Sequence, residues 1–478
     1  MDAASGRRVC SGDAWRAVQT RRYAAHPAAR CTLARRAHRR GAARDRGALV
    51  TPPPTAGPLH GTRGIVLTQA WAGNWCTALL GMMGADVIQV EFRGRLDSWR
   101  GDYSAPIMAG IRDIPTAEHT WNCNPLYNSV SLNKRCIILD LGTPQGVEVF
   151  RRLVVYADFV AENFSPRVLG NLGIDYDALA KIKPDIIVAS LSAYGHDGPW
   201  ANVPGIGGTI EPTAGQSALL GYADGPPLNS GQMYPDPIAG LYGVLGIAAA
   251  LHHRERTGRG QYVDLSMQEA NLSVVGDAAL EFTTNGTQRP RLANRHTTFA
   301  PHGVFATLGV ERWLALACES EVQWAGLCEV ARHPEWRNDP RFATNTARKA
   351  NEDALETAIA AWTAEADRDD LAARLVAAGV LAAPVLDALE VAQDAHLRAR
   401  NVVQEVDHPE VGRRLQSTLP MHFSRTPANI VRHAPLQGQH TYEVLEELLG
   451  MGAAEVDELV RLGVSGMGPP DGVDLGAV

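Results

Sequence analysis

The stretch GIVLTQAWAGNWCTALLGMMGADVIQVE, residues 64–91, decides the fold class. Residues 64–69 form a short apolar run typical of a buried strand, and residues 73–85 have the pattern of a helix that ends at Gly84. Residues 86–91 predict a second strand, with Glu91 at its end. A strand, a tight turn, a helix and another strand together predict a βαβ unit in a parallel sheet.

The same alternation continues after this unit. Residues 143–157 have helical periodicity, with Thr143 as the expected N-cap and Pro144 at the first helical position. Strands are predicted over 158–163 and 184–195, with a helix over 175–183 between them. We therefore predict a doubly wound α/β domain, whose ligand lies at the carboxyl ends of the strands.

The pattern changes after about residue 270. Residues 303–320 predict a hairpin of two strands, and residues 351–366 and 368–379 predict helices, which together indicate a smaller α+β domain. A helical pair is expected over 441–464 and should return to the first domain. The predicted organisation is an N-terminal extension over 1–60, a large domain over 61–270, a small domain over 295–390 and a C-terminal segment over 395–465 that completes the large domain.

The N-terminal extension differs from the rest in composition. Residues 1–60 contain twelve Arg and three Asp and show no sustained apolar periodicity. We expect this segment to be disordered, although a transit peptide and a nucleic-acid-binding arm share such a composition. The net charge of the whole chain is −7, so the remainder is strongly acidic, which argues against nucleic acid as the main partner.

Bulk composition narrows the class of protein further. With 478 residues, 45% hydrophobic and 20% charged, the chain has the size and balance of a two-domain globular protein. No apolar run is long enough to predict a membrane span. The seven cysteines include no CxxC pair, which favours reduced thiols and a cytoplasmic location.

Common catalytic and cofactor motifs are missing. The turn TQAWAGNW, residues 68–75, lacks the GxGxxG pattern of a dinucleotide site, although Glu91 has about the spacing from Gly73 of a ribose-binding acid. The glycine-rich PGIGGT, residues 204–209, is interpreted as a flexible loop. No HExxH, Walker or GxSxG motif occurs, and the histidines form no cluster with metal-ligand spacing, so no metal site is predicted.

One carboxylate stands out, Asp236 in GQMYPDPIAG, residues 231–240. Pro237 suits the first position of the apolar helix that follows, which predicts Asp236 as its N-cap. The helix dipole favours the ionised form of a carboxylate at that end. An ionised and positioned carboxylate is also a possible nucleophile, so both roles remain open.

Six separated motifs resemble one enzyme family when they are taken together. They are AGNWCTALLGMMGADVIQVE, NKRCIILDL, ADFVAENFSPRVLGNLGIDYDAL, SLSAYGHDGPW, PDPIAGLYGVLGIAAALHHRERTGRGQYVDLSMQEA and APLQGQHTYEVLEELLG. Their order and spacing resemble the family III CoA-transferases, which include formyl-CoA:oxalate and carnitine CoA-transferases and the α-methylacyl-CoA racemases. The resemblance extends from about residue 60 to 465 and implies an interlocked homodimer.

The resemblance also implies a reaction. Asp236 stands where the transferases of this family have their nucleophile, which attacks an acyl-CoA thioester. A mixed anhydride and then an aspartyl-CoA thioester carry CoA to a carboxylic acid acceptor. No metal or redox cofactor is required, and CoA enters only as part of the substrate.

CoA-binding residues follow from the same resemblance. The matching positions are Gln69, Ala70, Ala72, Arg93, Leu139, Asn163 and Phe164. The chain departs from the family pattern at several places. Val66 replaces an Asp, Asn74 replaces the Pro of an AGP motif, Phe92 stands where relatives often carry Arg, and Gly142 and Asn171 stand where they often carry Lys or Arg.

Three other functions compete with a transferase. Racemases of the family pair the aspartate with a His, but Ile206 and Gly207 occupy the matching stretch, so one of two bases is missing. A CoA-binding protein without turnover would use Asp236 only as a cap. An NAD(P)-dependent dehydrogenase would rely on Glu91.

Overall fold

A computed structural model of the chain describes residues 57–103, 119–470 and 472. Its main sheet has six parallel strands in the order β3-β2-β1-β4-β5-β6. The strands are β1 (Arg63–Leu67), β2 (Asp86–Glu91), β3 (Lys134–Ile138), β4 (Phe159–Glu162), β5 (Ile187–Ser192) and β6 (Gln261–Ser266). The strand order reverses between β1 and β4, and a ligand crevice is expected at the carboxyl ends of this pair.

Helices connect and cover the strands. They are α1 (Ala72–Met82), α2 (Pro125–Val130), α3 (Pro144–Val154), α4 (Arg167–Asn171), α5 (Tyr176–Ile182), α6 (Gly207–Thr213), α7 (Gln216–Leu219), α8 (Pro235–Thr257), α9 (Met267–Asn285), α10 (Glu321–Ala331), α11 (Asn345–Ala350), α12 (Glu352–Thr363), α13 (Arg368–Ala377), α14 (Ala388–Gln393), α15 (Ala395–Ala399), α16 (Thr441–Leu449) and α17 (Ala453–Arg461). Short 3₁₀ turns lie at Thr120–Asn122 and Pro334–Arg337. Within the described ranges, no helix is both long and apolar enough to cross a membrane.

Both faces of the main sheet are covered by helices. Side chains of β1, β4 and β5 pack with α1 and α8 on one face, through residues such as Leu80, Phe159 and Ile247. The other face packs against α3, α5 and the C-terminal helices α16 and α17, where Val160 meets Phe150 and Leu445 in one cluster. The predicted doubly wound α/β fold is confirmed, and so is the return of the C-terminal helical pair to this sheet.

A second core forms around a small antiparallel sheet. Strands β7 (His302–Ala306), β8 (Trp313–Ala317) and β9 (Leu381–Val385) pair antiparallel. Their buried side chains pack with α10, α12 and α13 in a separate cluster. The predicted hairpin over 303–320 and the small α+β layer are therefore confirmed. A further hairpin pairs β10 (Val403–His408) with β11 (Gly412–Ser417).

The predicted cap of α3 and the predicted bounds of β2 are confirmed. The Thr143 side chain accepts a hydrogen bond from the Gly146 N–H, and Pro144 begins α3, as predicted. The bounds of β2 are those predicted from the sequence. One boundary needs correction: residues 57–60 belong to the folded body, since the Leu59 N–H donates to the Met83 carbonyl at 2.8 Å and its side chain packs on the core. The rest of the predicted N-terminal extension lies outside the described residues.

Candidate active site

Asp236 lies in the first turn of α8, but it is not the cap of that helix. The helix begins at Pro235, and the N-cap is Tyr234, whose side chain makes no capping hydrogen bond. The residue before this cap, Met233, has φ +49, in the left-handed region. The prediction of Asp236 as N-cap, with Pro237 as the first helical residue, is therefore wrong. As the second helical residue, Asp236 keeps its carboxylate available for contacts outside its own helix.

Two glycines of α8 bring that helix against α1. A Cβ at Gly240 would lie 3.0 Å from the Ala72 carbonyl oxygen, and one at Gly243 would lie 2.9 Å from the Cys76 Sγ. Such distances are closer than side chains ordinarily allow, so only glycine permits this packing. The close packing places the start of α1, at Ala72, beside Asp236 at the start of α8.

The Asp236 carboxylate is half-buried between helix N-termini. Burial raises its pKa from 3.8 to about 6, while the backbone N–H groups of Ala72 and Gly207 oppose this rise. Both N–H groups belong to the first residue of a helix, α1 and α6, so the dipoles of these helices and of α8 favour the ionised form. Among the described residues, Asp236 Oδ2 has no hydrogen-bond partner of ordinary geometry. One oxygen of Asp236 is thus buried without a partner where the N-termini of three helices meet.

Gly207 is required for this arrangement. A Cβ at position 207 would overlap Asp236 Oδ2 and lie 2.7 Å from the Met233 Cβ. From the sequence, residues 204–209 were predicted to be a flexible loop. Because α6 begins at Gly207, this prediction is wrong for residues 207–209. Since no side chain fits at 207, this position cannot supply the second base of a racemase.

The turn between β1 and α1 is held by amide side chains. Asn163 accepts from the Gln69 N–H at 2.7 Å and donates to the Gln69 carbonyl at 2.9 Å. Gly73 leaves room for that amide, because a Cβ there would lie 2.7 Å from Asn163 Oδ1. Ala70 has φ +53, in the left-handed region. Four of the predicted CoA-binding residues, Gln69, Ala70, Ala72 and Asn163, are thereby brought together at one end of α1.

The other predicted CoA-binding residues surround the same edge of the sheet. Phe164 follows β4, and its half-buried ring packs against the core. Leu139 follows β3, and its side chain is fully within the core, so only its backbone can face a ligand. The Arg93 guanidinium lies against Gly466 of the C-terminal segment. The roles of these residues toward CoA remain predictions.

Glu91 is committed to a buried ion pair. Its carboxylate accepts from Arg100 Nε at 2.7 Å, Arg100 Nη2 at 2.9 Å and the Tyr127 hydroxyl at 2.6 Å. Both charged side chains are almost completely inaccessible. A ribose would have to displace these partners, so the geometry does not support the dinucleotide role considered for Glu91.

Several residues that shape the site were not found by sequence reasoning. Gly207 touches Asp236 from 29 positions away in the chain. Asn74, Asp97 and Lys134 form a buried polar network beneath the turn at Ala70. One signal was present, since Lys134 starts the apolar strand KRCII. In the part of the chain that the structure describes, no three His, Cys, Asp or Glu residues cluster as a metal site would require.

Comparison with known proteins gives a consistent result. Residues 59–441 match the model of CoA-transferase family III. Succinyl-CoA–D-citramalate CoA-transferase of Chloroflexus aurantiacus is 32% identical over 396 residues, covering 82% of this chain and 94% of that protein. Formyl-CoA:oxalate CoA-transferase of Rhodopseudomonas palustris is 32% identical over 433 residues, covering 86% and 98%.

A solved structure agrees with the sequence comparison. The crystal structure of a CAIB/BAIF family protein from Brucella suis superposes with a TM-score of 0.73 at 31% identity. The match covers 82% of this chain and the whole of that chain. The shared fold therefore extends over both the main sheet and the small antiparallel layer.

Proposed function

The chain belongs to CoA-transferase family III, and we propose that it moves CoA from an acyl-CoA donor to a carboxylic acid, with Asp236 as the nucleophile. The observation that carries this proposal is the Asp236 carboxylate, half-buried and lacking a partner at Oδ2, at the meeting point of three helix N-termini. A carboxylate with a pKa of about 6 is ionised at neutral pH and is more basic than an exposed aspartate. Both properties suit a carboxylate nucleophile.

The first half of the proposed reaction transfers CoA to the enzyme. An oxygen of Asp236 attacks the thioester carbonyl, the C–S bond breaks, and a mixed anhydride and a CoA thiolate result. The thiolate then attacks the aspartyl carbonyl, which releases the donor acid as a carboxylate and leaves an aspartyl-CoA thioester. In this proposal the N–H groups of Ala72 and Gly207, which act on the Asp236 carboxylate, stabilise the oxyanion that develops on the aspartyl carbonyl.

The second half reverses these steps with the acceptor. The acceptor carboxylate attacks the aspartyl-CoA thioester, which gives a second anhydride and again frees the thiolate. Attack of the thiolate on the acceptor acyl carbon forms the new acyl-CoA and restores the Asp236 carboxylate. One thioester replaces another, so no metal, redox cofactor or external energy source is needed. The turn at Gln69–Ala72, with Arg93, Leu139, Asn163 and Phe164 nearby, is proposed to hold CoA.

Two helices of this chain expose an apolar surface that suits the dimer implied by the family. Helices α8 and α9 expose large apolar side chains, among them Leu241 and Leu245 on α8 and Leu272, Val274 and Leu280 on α9. Monomeric proteins rarely leave such contiguous apolar surface open to water. We propose that a second copy of the chain covers these helices. Light scattering checks this: a mass near 51 kDa at micromolar concentration would contradict it.

A trapping experiment tests the nucleophile. Wild-type protein given acyl-CoA without acceptor should accumulate an adduct on the peptide that contains Asp236, and hydroxylamine should convert it to a hydroxamate seen by mass spectrometry. Acceptors are then screened, starting with dicarboxylic acids because D-citramalate and oxalate appear in the names of the relatives. Asp236→Asn should lower transfer at least about a thousandfold, since an amide forms no anhydride.

A matched variant serves as the control for this test. Asp177 is an exposed aspartate at the second position of α5, as Asp236 is in α8, and Asp177→Asn should transfer CoA at the wild-type rate. Transfer by Asp236→Asn at a near wild-type rate would refute the proposed nucleophile. Binding of CoA without transfer to any acid would instead favour a binding protein. Exchange of an α-proton with deuterated water would favour an isomerase.

A further inference from the structure

A buried lysine, Lys134, lies beneath the turn between β1 and α1, and no carboxylate of the described residues contacts its amine directly. Lys134 is fully inaccessible, and its Nζ donates to Asn74 Oδ1 at 2.9 Å and to Gln89 Oε1 at 3.2 Å. Burial lowers its pKa to about 7, against the opposing charges of Asp97 and Glu91 and the thiols Cys76 and Cys136. An amine placed among amide oxygens in the interior is costly, so its neighbours indicate what it does there.

The Asn74 side chain connects Lys134 to an acid. Its Oδ1 faces the lysine, while its Nδ2 donates to Asp97 Oδ2 at 2.7 Å and to the Ala70 carbonyl at 3.0 Å. Only this orientation of the amide pairs the oxygen with the lysine and the nitrogen with two acceptors. Asn74 is also one of the positions where the chain departs from its family pattern.

The network ends on the backbone of Ala70. The Asp97 carboxylate accepts from the Ala70 N–H at 3.0 and 3.2 Å, and Asn74 holds the carbonyl of the same residue. Ala70 has φ +53, a left-handed conformation that is strained for a residue with a side chain and persists only when its surroundings hold it. Two residues later the chain enters α1, whose first N–H group faces Asp236.

We propose that Lys134 is a positioning residue, which acts through Asn74 and Asp97 to hold Ala70 in its left-handed conformation and the Ala72 N–H on the Asp236 carboxylate. The catalytic part of this inference rests on the proposed function of Asp236. Its structural part does not, because the distance between the N–H and the carboxylate affects the pKa of Asp236 whether or not the protein transfers CoA.

Lys134→Met tests the proposal, because it keeps the length of the side chain and removes the amine. We expect kcat for CoA transfer to fall at least about tenfold, since one oxyanion donor is displaced. We also expect the pKa of the Asp236 carboxyl to rise, measured by ¹³C NMR titration of protein labelled at aspartate. The signal is assigned by its absence in Asp236→Asn.

A second variant and a control keep the result interpretable. Asn74→Ala leaves Lys134 in place but breaks its link to Ala70, so it should also raise the pKa of Asp236. This variant tests the proposal even if Lys134→Met does not fold. Asn133→Gly is the control. It removes a buried amide at the opposite end of α1, which donates to the carbonyls of Gly81 at 3.3 Å and Asn429 at 2.8 Å, at a position whose φ of +61 suits glycine. This control should leave the Asp236 pKa and kcat unchanged.

The outcomes separate the two proposals. The positioning role is overturned if Lys134→Met and Asn74→Ala both keep the wild-type pKa of Asp236. It is also overturned if Asn133→Gly shifts that pKa as much as these two variants do. If Asp236→Asn still transfers CoA, the proposed nucleophile fails. The NMR titration of the wild type and Lys134→Met still decides whether the network positions the turn.

Discussion

Two buried carboxylates, Glu91 and Asp236, lie in opposite electrostatic environments. Glu91 accepts hydrogen bonds from Nε and Nη2 of Arg100 and from the Tyr127 hydroxyl, and Arg100 holds the pKa of Glu91 below the usual range in spite of burial. Within the described residues no cation contacts Asp236, and burial raises its pKa to about 6. The first carboxylate is fully paired, whereas one buried oxygen of the second has no hydrogen-bond partner among the described residues.

The difference shows how one fold separates structural from reactive acids. A carboxylate paired with a buried arginine is stabilised as an ion, but it has no lone pair left to offer a substrate. A carboxylate held only by backbone N–H groups and helix dipoles remains ionised near neutral pH, and a substrate need not displace a cation to reach it. Pairing, rather than burial alone, therefore distinguishes the two sites.

The largest expected effect on stability is at the paired site. Arg100→Met should lower the free energy of unfolding by about 3–5 kcal/mol, because it leaves Glu91 charged, buried and without its cation. Urea unfolding monitored by fluorescence measures this loss. Asp236→Asn should show no comparable loss at any pH, and equal destabilisation by both variants would remove the distinction between the sites.

The next effect concerns the open site. Gly207→Ala places a Cβ where Asp236 Oδ2 lies and should displace the carboxylate. We expect CoA transfer to fall about 10- to 100-fold, equivalent to about 1.4–2.7 kcal/mol in the barrier. Gly208→Ala is the matched control, because a Cβ there meets no atom within 4 Å. Equal rates for the two alanine variants would argue that Gly207 does not shape the site.

The smallest effect is a dependence of stability on pH. Since the pKa of Asp236 is 3.8 in the unfolded chain and about 6 in the folded protein, the folded state binds the proton more tightly. Ionisation therefore costs the wild type stability as the pH rises from about 4 to 6. Asp236→Asn should be more stable than the wild type by about 1–3 kcal/mol at pH 8. The gain should vanish near pH 3.5, and a gain that is independent of pH would contradict the raised pKa.

Local patterns were sufficient to predict the elements themselves. The strand at Asp86–Glu91, the cap at Thr143 and the hairpin over 303–320 follow from apolar periodicity, side-chain capping and short-range turns. The local motif around Asp236 left its role open, and the resemblance to the family singled it out as the candidate nucleophile. The place of Asp236 within the helix was predicted incorrectly. The start of α8 depends on the backbone reversal at Met233, which no residue preference indicated.

Contacts between distant residues were decided only by the tertiary structure. Gly207 meets Asp236, Lys134 meets Asn74 across 60 positions, and Arg100 pairs with Glu91 rather than with solvent. The sequence by itself determined the order of strands and helices, because backbone preferences and apolar spacing act over a few residues. The packing of the helices decided which acid is paired with a cation and which is held by backbone groups alone. Close packing of α8 on α1 brings three helix N-termini to the Asp236 carboxylate.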